Sequence, residues 1–445
     1  MLALIIFTLT LFGILRRPFG LSIWVYSSVG AIATLAFGLV ELHDLGVIFA
    51  LIWDSALTLI ALIVISFCLQ GLGFFEWLIF WVMKICAVKS AESSGILHIN
   101  TRKAFVALIL LSALLSSVLA NDGAVLVLTP LVLGLFLRAK NALPLQIIAF
   151  LFATAFVCDI SSNPLIISNL TNIITAHFHA LGFAEFARTM FLPNLFGIFG
   201  ALMLFLVLFR APLRTPLTFR TIAKPKLQNA LFALHCATLA LFIASFFLST
   251  HFDLPLSLNC AIYAGILLIT LWHKSRQKAI ATMKKAPFGI IVFVFGLFVV
   301  VFAVQKLDFT EAQNALFHAL IALYDKSEVA GIFGVTSVSA LGSSVINNLP
   351  MVLFGNLAID EFFASQNLAN LKETFIYAHL LGCNIGSKLT PIGSLCTLLW
   401  LSLIAKSSTL TQKGVNFGFL RYCKYSLIFT LPTLFCASLG LWLTI

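Results

Sequence analysis

Charge is scarce in this chain. Only 10% of its 445 residues are Asp, Glu, Lys or Arg, while 61% are hydrophobic and 44 are Phe. A water-soluble domain of this length carries about a quarter charged residues, so that class is excluded. Paired cysteines are also lacking. No two of Cys68, Cys86, Cys158, Cys236, Cys260, Cys383, Cys396, Cys423 and Cys436 form a CxxC, which argues against a zinc site or a disulfide framework. There is no GxxxxGK[ST] phosphate loop, so this chain is expected neither to hydrolyse ATP nor to act as an enzyme, and no cofactor is expected. Residues 1–15 lack a basic n-region and a small-residue cleavage site. Arg16 and Arg17 follow the apolar run instead, so a retained first span with an outside N-terminus is expected.

Apolar segments are abundant, with a mean hydropathy of +1.08. They fall near 2–15, 20–42, 47–70, 104–137, 143–176, 190–210, 229–250, 254–272, 287–304, 329–358, 375–404 and 424–445. Most reach the roughly 20 residues needed to cross a bilayer. The net charge of +11 could suggest nucleic acid. Its distribution points to a membrane instead. Of 27 Lys and Arg, 22 lie in Arg16/Arg17, Lys84–Lys103, Arg138/Lys140, Arg210–Lys226, Lys274–Lys285 and Lys406–Lys424. The acidic loops are Glu41/Asp44, Asp308–Glu328 and Asp360–Glu373. Basic loops face the cytoplasm in a bacterial inner membrane, which leaves both termini outside.

Two segments break simple alternation. Residues 104–137 have basic ends on both sides, and residues 329–358 have acidic ends on both sides. Each carries a polar break, Ala120-Asn121-Asp122-Gly123 and Asn347-Asn348-Leu349-Pro350. Arms of roughly 15 residues are short for full spans. Re-entrant hairpins are therefore expected, with non-helical backbone at membrane depth lining a wet cavity.

The breaks fit a duplication. Ser117 to Asp122 lines up with Ser343 to Asn348 at an offset of 226, and Cys158-Asp159-Ile160-Ser161-Ser162 with Cys383-Asn384-Ile385-Gly386-Ser387 at 225. Five crossings per half is odd, so the second half enters inverted. The expected fold is an all-α polytopic membrane protein of two inverted-topology repeats, each about five transmembrane helices plus one re-entrant hairpin. Repeat 1 covers 1–210, with a cytoplasm-entering hairpin (104–137) and a broken helix (143–176). A basic cytoplasmic linker covers 211–228. Repeat 2 covers 229–445, with an outside-entering hairpin (329–358) and a broken helix (375–404).

Charges within the apolar segments reduce to Asp54, Asp122, Asp159 and Lys388, with Glu76 near an interface. Intramembrane charges are costly and usually functional. Pro164 and Pro391 should break their helices and free backbone groups for a polar substrate or a dehydrated cation. The candidate substrate and coupling residues are Ser117, Asn121 and Asp122 at the first tip, and Ser343, Asn347 and Asn348 at the second. The first broken helix adds Asp159, Ser161, Ser162 and Asn163. The second adds Asn384, Ser387, Lys388, Thr390 and Ser394. Asp54 reads equally well as a paired structural acid. Cys158 and Cys383, expected to face each other across the symmetry axis, are either soft ligands or packing residues; packing is favoured. His177 and His179 read as a solvated loop pair rather than a metal site or pH sensor.

Several motifs together resemble the ArsB arsenite/antimonite efflux pumps: Gly73-Phe74-Phe75-Glu76-Trp77, Leu119 to Ala124 with Leu128-Thr129-Pro130, Pro164 to Asn169, Ile346 to Pro350, and Thr390 to Leu395 through Leu398-Leu399-Trp400. The resemblance spans essentially the whole chain. It implies export of trivalent arsenic and antimony hydroxides coupled to proton entry, arsenical resistance, and membership of the ion transporter superfamily. It also implies a pump working alone or with a soluble ATPase subunit, whose docking surface would be Arg210–Lys226 or Lys274–Lys285. The chain departs from the family at Asn384, usually acidic, and at Ser387, usually Pro, which leaves proton coupling to Asp122 or Asp159. The alternative is a sodium-coupled carboxylate carrier or sodium/proton antiporter of the same superfamily. A fixed cation at Lys388 would repel sodium and favours protons. Two-sided hairpins suit alternating access better than a passive channel.

Overall fold

A computed structural model describes residues 1–88, 97–219, 225–249, 252, 254–307, 309–364, 368–405, 407–415 and 417–445. The expected basic loop residues Lys89, Arg220, Lys224 and Lys406, part of the 211–228 linker, and the acidic Asp308 lie outside the described residues.

The chain begins with α1 (Leu2–Arg16), α2 (Ile23–Ala36) and α3 (Leu42–Leu72). At 31 residues, α3 is long enough to cross a membrane with length to spare. Glu41 and Asp44 form a reciprocal capping box at its start, and Gly73 ends it at φ 91°, a left-handed conformation that glycine adopts without strain. Next come α4 (Phe74–Ile85), α5 (Thr101–Leu119) and α6 (Asn121–Arg138). Pro144, without an N–H to lose, starts α7 (Pro144–Ile160). An irregular stretch leads to α8 (Leu170–Phe178), where the Asn169 side chain accepts the Thr171 N–H. The first half ends with α9 (Phe183–Leu208) and α10 (Arg210–Arg214).

The second half contains α11 (Asn229–Ser249), α12 (Leu256–Lys274), α13 (Arg276–Lys285), α14 (Gly289–Gln305) and α15 (Thr310–Lys326). It continues with α16 (Glu328–Ile346), α17 (Asn348–Ala364), α18 (Ala369–Gly386), α19 (Leu395–Ala405), α20 (Ser408–Gln412) and α21 (Phe419–Trp442). Nine helices among the described residues are long and apolar enough to cross a membrane. The architecture is that of an all-α polytopic membrane protein.

The two polar breaks fall where the sequence puts them. Ala120 (φ 62°, ψ 143°) separates α5 from α6, and Asn347 (φ 80°, ψ 152°) separates α16 from α17. The matched backbone aligns Ala120 with Asn347, so Asn121 corresponds to Asn348. That is one residue away from the expected pairing of Asn121 with Asn347. The arms run 19, 18, 19 and 17 residues rather than about 15, because the helices continue into polar ends that hydropathy reads as loop. The helix breaks at Pro164 and Pro391 are also present. Pro164 lies between α7 and α8, and Pro391 follows a 3₁₀ turn, Ser387–Leu389.

Three expectations need correction. The acidic stretch before Glu328 contains a helix, α15, whose Phe317 and Leu320 are buried while its polar residues face out. The basic stretch Lys274–Lys285 is mostly α13, capped by the Ser275 side chain on the Lys278 N–H. A two-stranded antiparallel ribbon interrupts the all-helical pattern. It pairs β1 (Leu97–Ile99) with β2 (Leu217–Phe219), and three-residue strands are too short to show a period.

Packing follows a reciprocal pattern. Helix α3 lies on α12 while α14 lies on α2; α8 lies on α17 while α19 lies on α6; α9 lies on α21, and α3 also touches α14. Helices α16 and α18 approach closely because Gly382 and Gly386 lack side chains. A Cβ on Gly382 would stand 2.4 Å from the Thr336 carbonyl oxygen, and one on Gly386 would stand 2.1 Å from the Ala340 Cα. Phe152, Phe156, Phe205 and Phe429 fill the joint between α7, α9 and α21.

Candidate transport site at the helix breaks

Helix α7 must end at Pro164, and its last-turn carbonyls need donors. The chain supplies them locally. Ser161 Oγ donates to Val157 O at 2.5 Å, Ser162 Oγ to Asp159 O at 2.6 Å, and Asn163 Nδ2 to Ile160 O at 2.7 Å. Ser387 Oγ does the same for Asn384 O at 2.9 Å. These four expected site residues therefore spend a donor on ending a helix.

The break exposes Asp159, whose side chain is 1% accessible. Its carboxylate forms a salt bridge with Lys388 across the two halves of the chain. Asn121 Nδ2 donates to Oδ1, and Ser394 Oγ donates to Oδ2 at 3.0 Å. Lys388 Nζ also donates to Thr397 Oγ1, which lies 3.4 Å from the Tyr422 hydroxyl. Ser426 Oγ donates to the Lys388 carbonyl. A buried ion pair persists only when such bonds satisfy its remaining donors and acceptors.

Each tip is fastened to its own broken helix. Ser117 Oγ donates to Ser161 O at 2.8 Å, and Ser168 Oγ donates to Ser117 O. On the other side, Thr390 Oγ1 donates to Ser344 O at 2.5 Å and Asn347 Nδ2 to Ile392 O at 2.8 Å. The Asn348 N–H donates to Gly393 O at 2.8 Å. Ser343 Oγ bonds back to Ala340 O in its own helix, at 3.1 Å.

A cavity of about 20 Å³ lies between the tips, lined by Asn121, Asp122, Asn169, Asn348, Ser394 and Cys396. Asp122, in the first turn of α6, makes no salt bridge among the described residues. Of the cysteines it is Cys396 that reaches this cavity, with its Sγ 3.9 Å from Asn121 O. Cys158 Sγ instead rests 3.8 Å from Ser112 O, and Cys383 Sγ 3.6 Å from His379 Nε2. No contact joins the two expected partners among the described residues.

Asn384 builds a second knot between the halves. Its Nδ2 donates to Asn163 Oδ1 and Asn172 Oδ1, both at 2.8 Å. Its Oδ1 accepts from Thr171 Oγ1 at 2.5 Å and Asn169 Nδ2 at 3.5 Å. Sequence reasoning missed Asn169, Thr171, Asn172, Thr397, Tyr422 and Ser426. A usable signal existed for Asn169, an N-cap type just after the break, and for Tyr422 and Ser426, polar neighbours one turn apart on an apolar helix.

Two expectations outside the site resolve differently. Asp54 caps α12 from α3: Oδ1 accepts the Ser257 N–H at 2.9 Å and Oδ2 the Leu256 N–H at 3.3 Å. His177 is exposed, but His179 is half-buried, its Nε2 enclosed and without a hydrogen-bond partner among the described residues, so the two are not a solvated pair.

A sequence model of the family described as "Arsenical pump membrane protein" (ArsB) matches residues 2–445. An arsenical pump membrane protein of Escherichia coli is 33% identical over 450 residues, covering 100% of this chain and 99% of the relative. One from Yersinia enterocolitica is 34% identical over 445 residues, covering 99% and 98%. With a family match and relatives about a third identical along essentially the whole chain, the chain belongs to the ArsB family of arsenical pump membrane proteins, which are transporters.

Proposed function

We propose that this chain is a secondary exporter of trivalent arsenic and antimony hydroxides from the cytoplasm in exchange for protons, built from two inverted repeats in the inner membrane. The observation that carries the reading is the buried Asp159–Lys388 pair, bracketed by Asn121 and Ser394, with the Asp122 carboxylate, in no salt bridge among the described residues, lining the adjoining cavity. The names of the relatives supply the substrate class. The reciprocal packing supports the repeat: a two-fold relation makes element i of one half contact element j of the other, and j contact i. The pairs α3–α12 with α14–α2, and α8–α17 with α19–α6, follow that rule. Under this reading the α5–α6 and α16–α17 hairpins enter from opposite faces, and both termini lie outside.

A neutral trihydroxide offers three hydroxyl donors and three acceptor oxygens. Asp122 can accept from it, while Asn121 and Asn348 offer amides for its oxygens. A cavity of about 20 Å³ takes a water-sized group but not three oxygens around a central atom, so loading requires the tips to part. Asp122, in no salt bridge among the described residues, can carry the returning proton. Lys388 already places a positive charge beside the tips, where a coupling sodium would otherwise bind.

Everted membrane vesicles test this. Arsenite uptake should collapse with a protonophore and persist without sodium. Sodium-dependent uptake indifferent to the proton gradient would overturn it in favour of the sodium-coupled class. Asp122→Asn should abolish gradient-driven uptake while leaving arsenite-for-arsenite exchange.

A further inference from the structure

A cavity of about 520 Å³ opens on the face that carries the basic loops. It lies well along α6 from the tip, between the ends of α3, α6 and α12. Its floor is apolar, formed in part by Phe80 of α4 and by Leu131 and Leu135 of α6. Its rim carries four cations, Arg138, Lys226, Lys274 and Lys278, against one acid, Glu76. Two of the cations are partly engaged. Lys274 Nζ donates to Leu72 O at 3.0 Å and Lys278 Nζ to Gly71 O at 3.3 Å, satisfying carbonyls at the end of α3. Arg138 and Lys226 take part in no salt bridge among the described residues.

The depth in the membrane is marked by aromatic residues. Trp77 and Trp81 sit on α4 beside the cavity, and Trp77 stacks on Phe232 at 3.5 Å. Tryptophans concentrate where acyl chains meet headgroups, the level at which lipid phosphates lie. A soluble phosphate would use only the rim, and a neutral lipid only the floor. An anionic amphiphile uses both, and basic pockets between helices at this level suit anionic headgroups.

We propose that this cavity binds an acidic phospholipid, its phosphate between Arg138 and Lys226 and its upper acyl segments against Phe80, Leu131 and Leu135. The site is separate from the transport site and stands whether or not the proton-exchange reading holds. Native mass spectrometry of the full chain, released from nanodiscs, tests it. Phosphatidylglycerol should be retained over phosphatidylcholine with the same chains, and glycerol phosphate should not displace it. Arg138→Gln with Lys226→Gln should weaken retention by about tenfold or more. Leu135→Trp, which fills the floor and keeps every charge, should also weaken it. Arg16→Gln with Arg17→Gln should leave it unchanged. Equal retention of the two lipids, displacement by glycerol phosphate, or full retention in either cavity variant would overturn the proposal.

Discussion

Asp159 and Lys388 hold each other's charge where neither reaches water. Removing one partner strands the other, at a cost of about 3–5 kcal/mol, whereas removing both together costs far less. Asp159→Asn should therefore reduce the folded protein recovered from membranes. Adding Lys388→Met should restore much of it without restoring transport. Size-exclusion profiles of fluorescently tagged protein read both, and equal losses in the single and double variants would show that the stranded charge is not the cause. His179 gives a second prediction. Burial pushes its imidazole down to about 4, although Asp360 nearby pulls it up. The unfolded value is about 6.5. The unfolded chain then binds more protons between those values, so this contribution to stability is complete above pH 6.5 and lost as pH falls toward 4. His179→Gln should flatten the fall in thermal midpoint over that window relative to the parent. Charge scarcity made Asp122, Asp159 and Lys388 legible in the sequence, because each stands alone in apolar surroundings. Asn169, Thr171 and Asn172 were not, because small polar residues are common in membrane helices and only the contact with Asn384 distinguishes them.

Among the elements, the two tips depend on a backbone conformation that their residues do not prefer. Ala120 sits at φ 62° and is fully enclosed, and a non-glycine residue there costs about 1–3 kcal/mol. Ala120→Gly should be neutral or raise the thermal midpoint, while Ala120→Val should lower it by several degrees and impair export. A lower midpoint for Ala120→Gly would mean that the lost methyl packing outweighs the strain. The breaks were legible because Asn-Asp-Gly and Pro interrupt apolar runs. The lengths of the arms were not, since helix geometry continues into polar ends where hydropathy stops. Helices α4 and α15 were hidden for a related reason. In the sequence α4 falls outside every apolar segment, between those near 47–70 and 104–137, and α15 reads as a loop because its apolar residues occupy only one face. The one-residue shift that matches Ala120 to Asn347 was hidden too, because identity of Asn with Asn is a weaker guide to register than the φ that ends each helix.

Over the whole molecule, the proposed inverted arrangement has a direct check. Single cysteines at Lys140 and Asp360, just past the α6 end and near the α17 end, should react with an impermeant maleimide from opposite faces of the membrane. Labelling from the same face would exclude hairpins that enter from opposite sides. The knot around Asn384 bears on how such a chain is made. Asn163, Thr171 and Asn172 belong to the half that leaves the ribosome first, and their partner follows more than 200 residues later. Until then, the Asn163 and Asn172 side-chain oxygens and the Thr171 hydroxyl lack that partner, although both amide nitrogens already donate within the first half, to Ile160 O and to Ser162 O and Leu165 O, and hydrocarbon offers no substitute. The first half is therefore expected to complete this polar knot only after the second half has inserted beside it. A chain cut in the linker should mature only when both fragments are produced in the same cell.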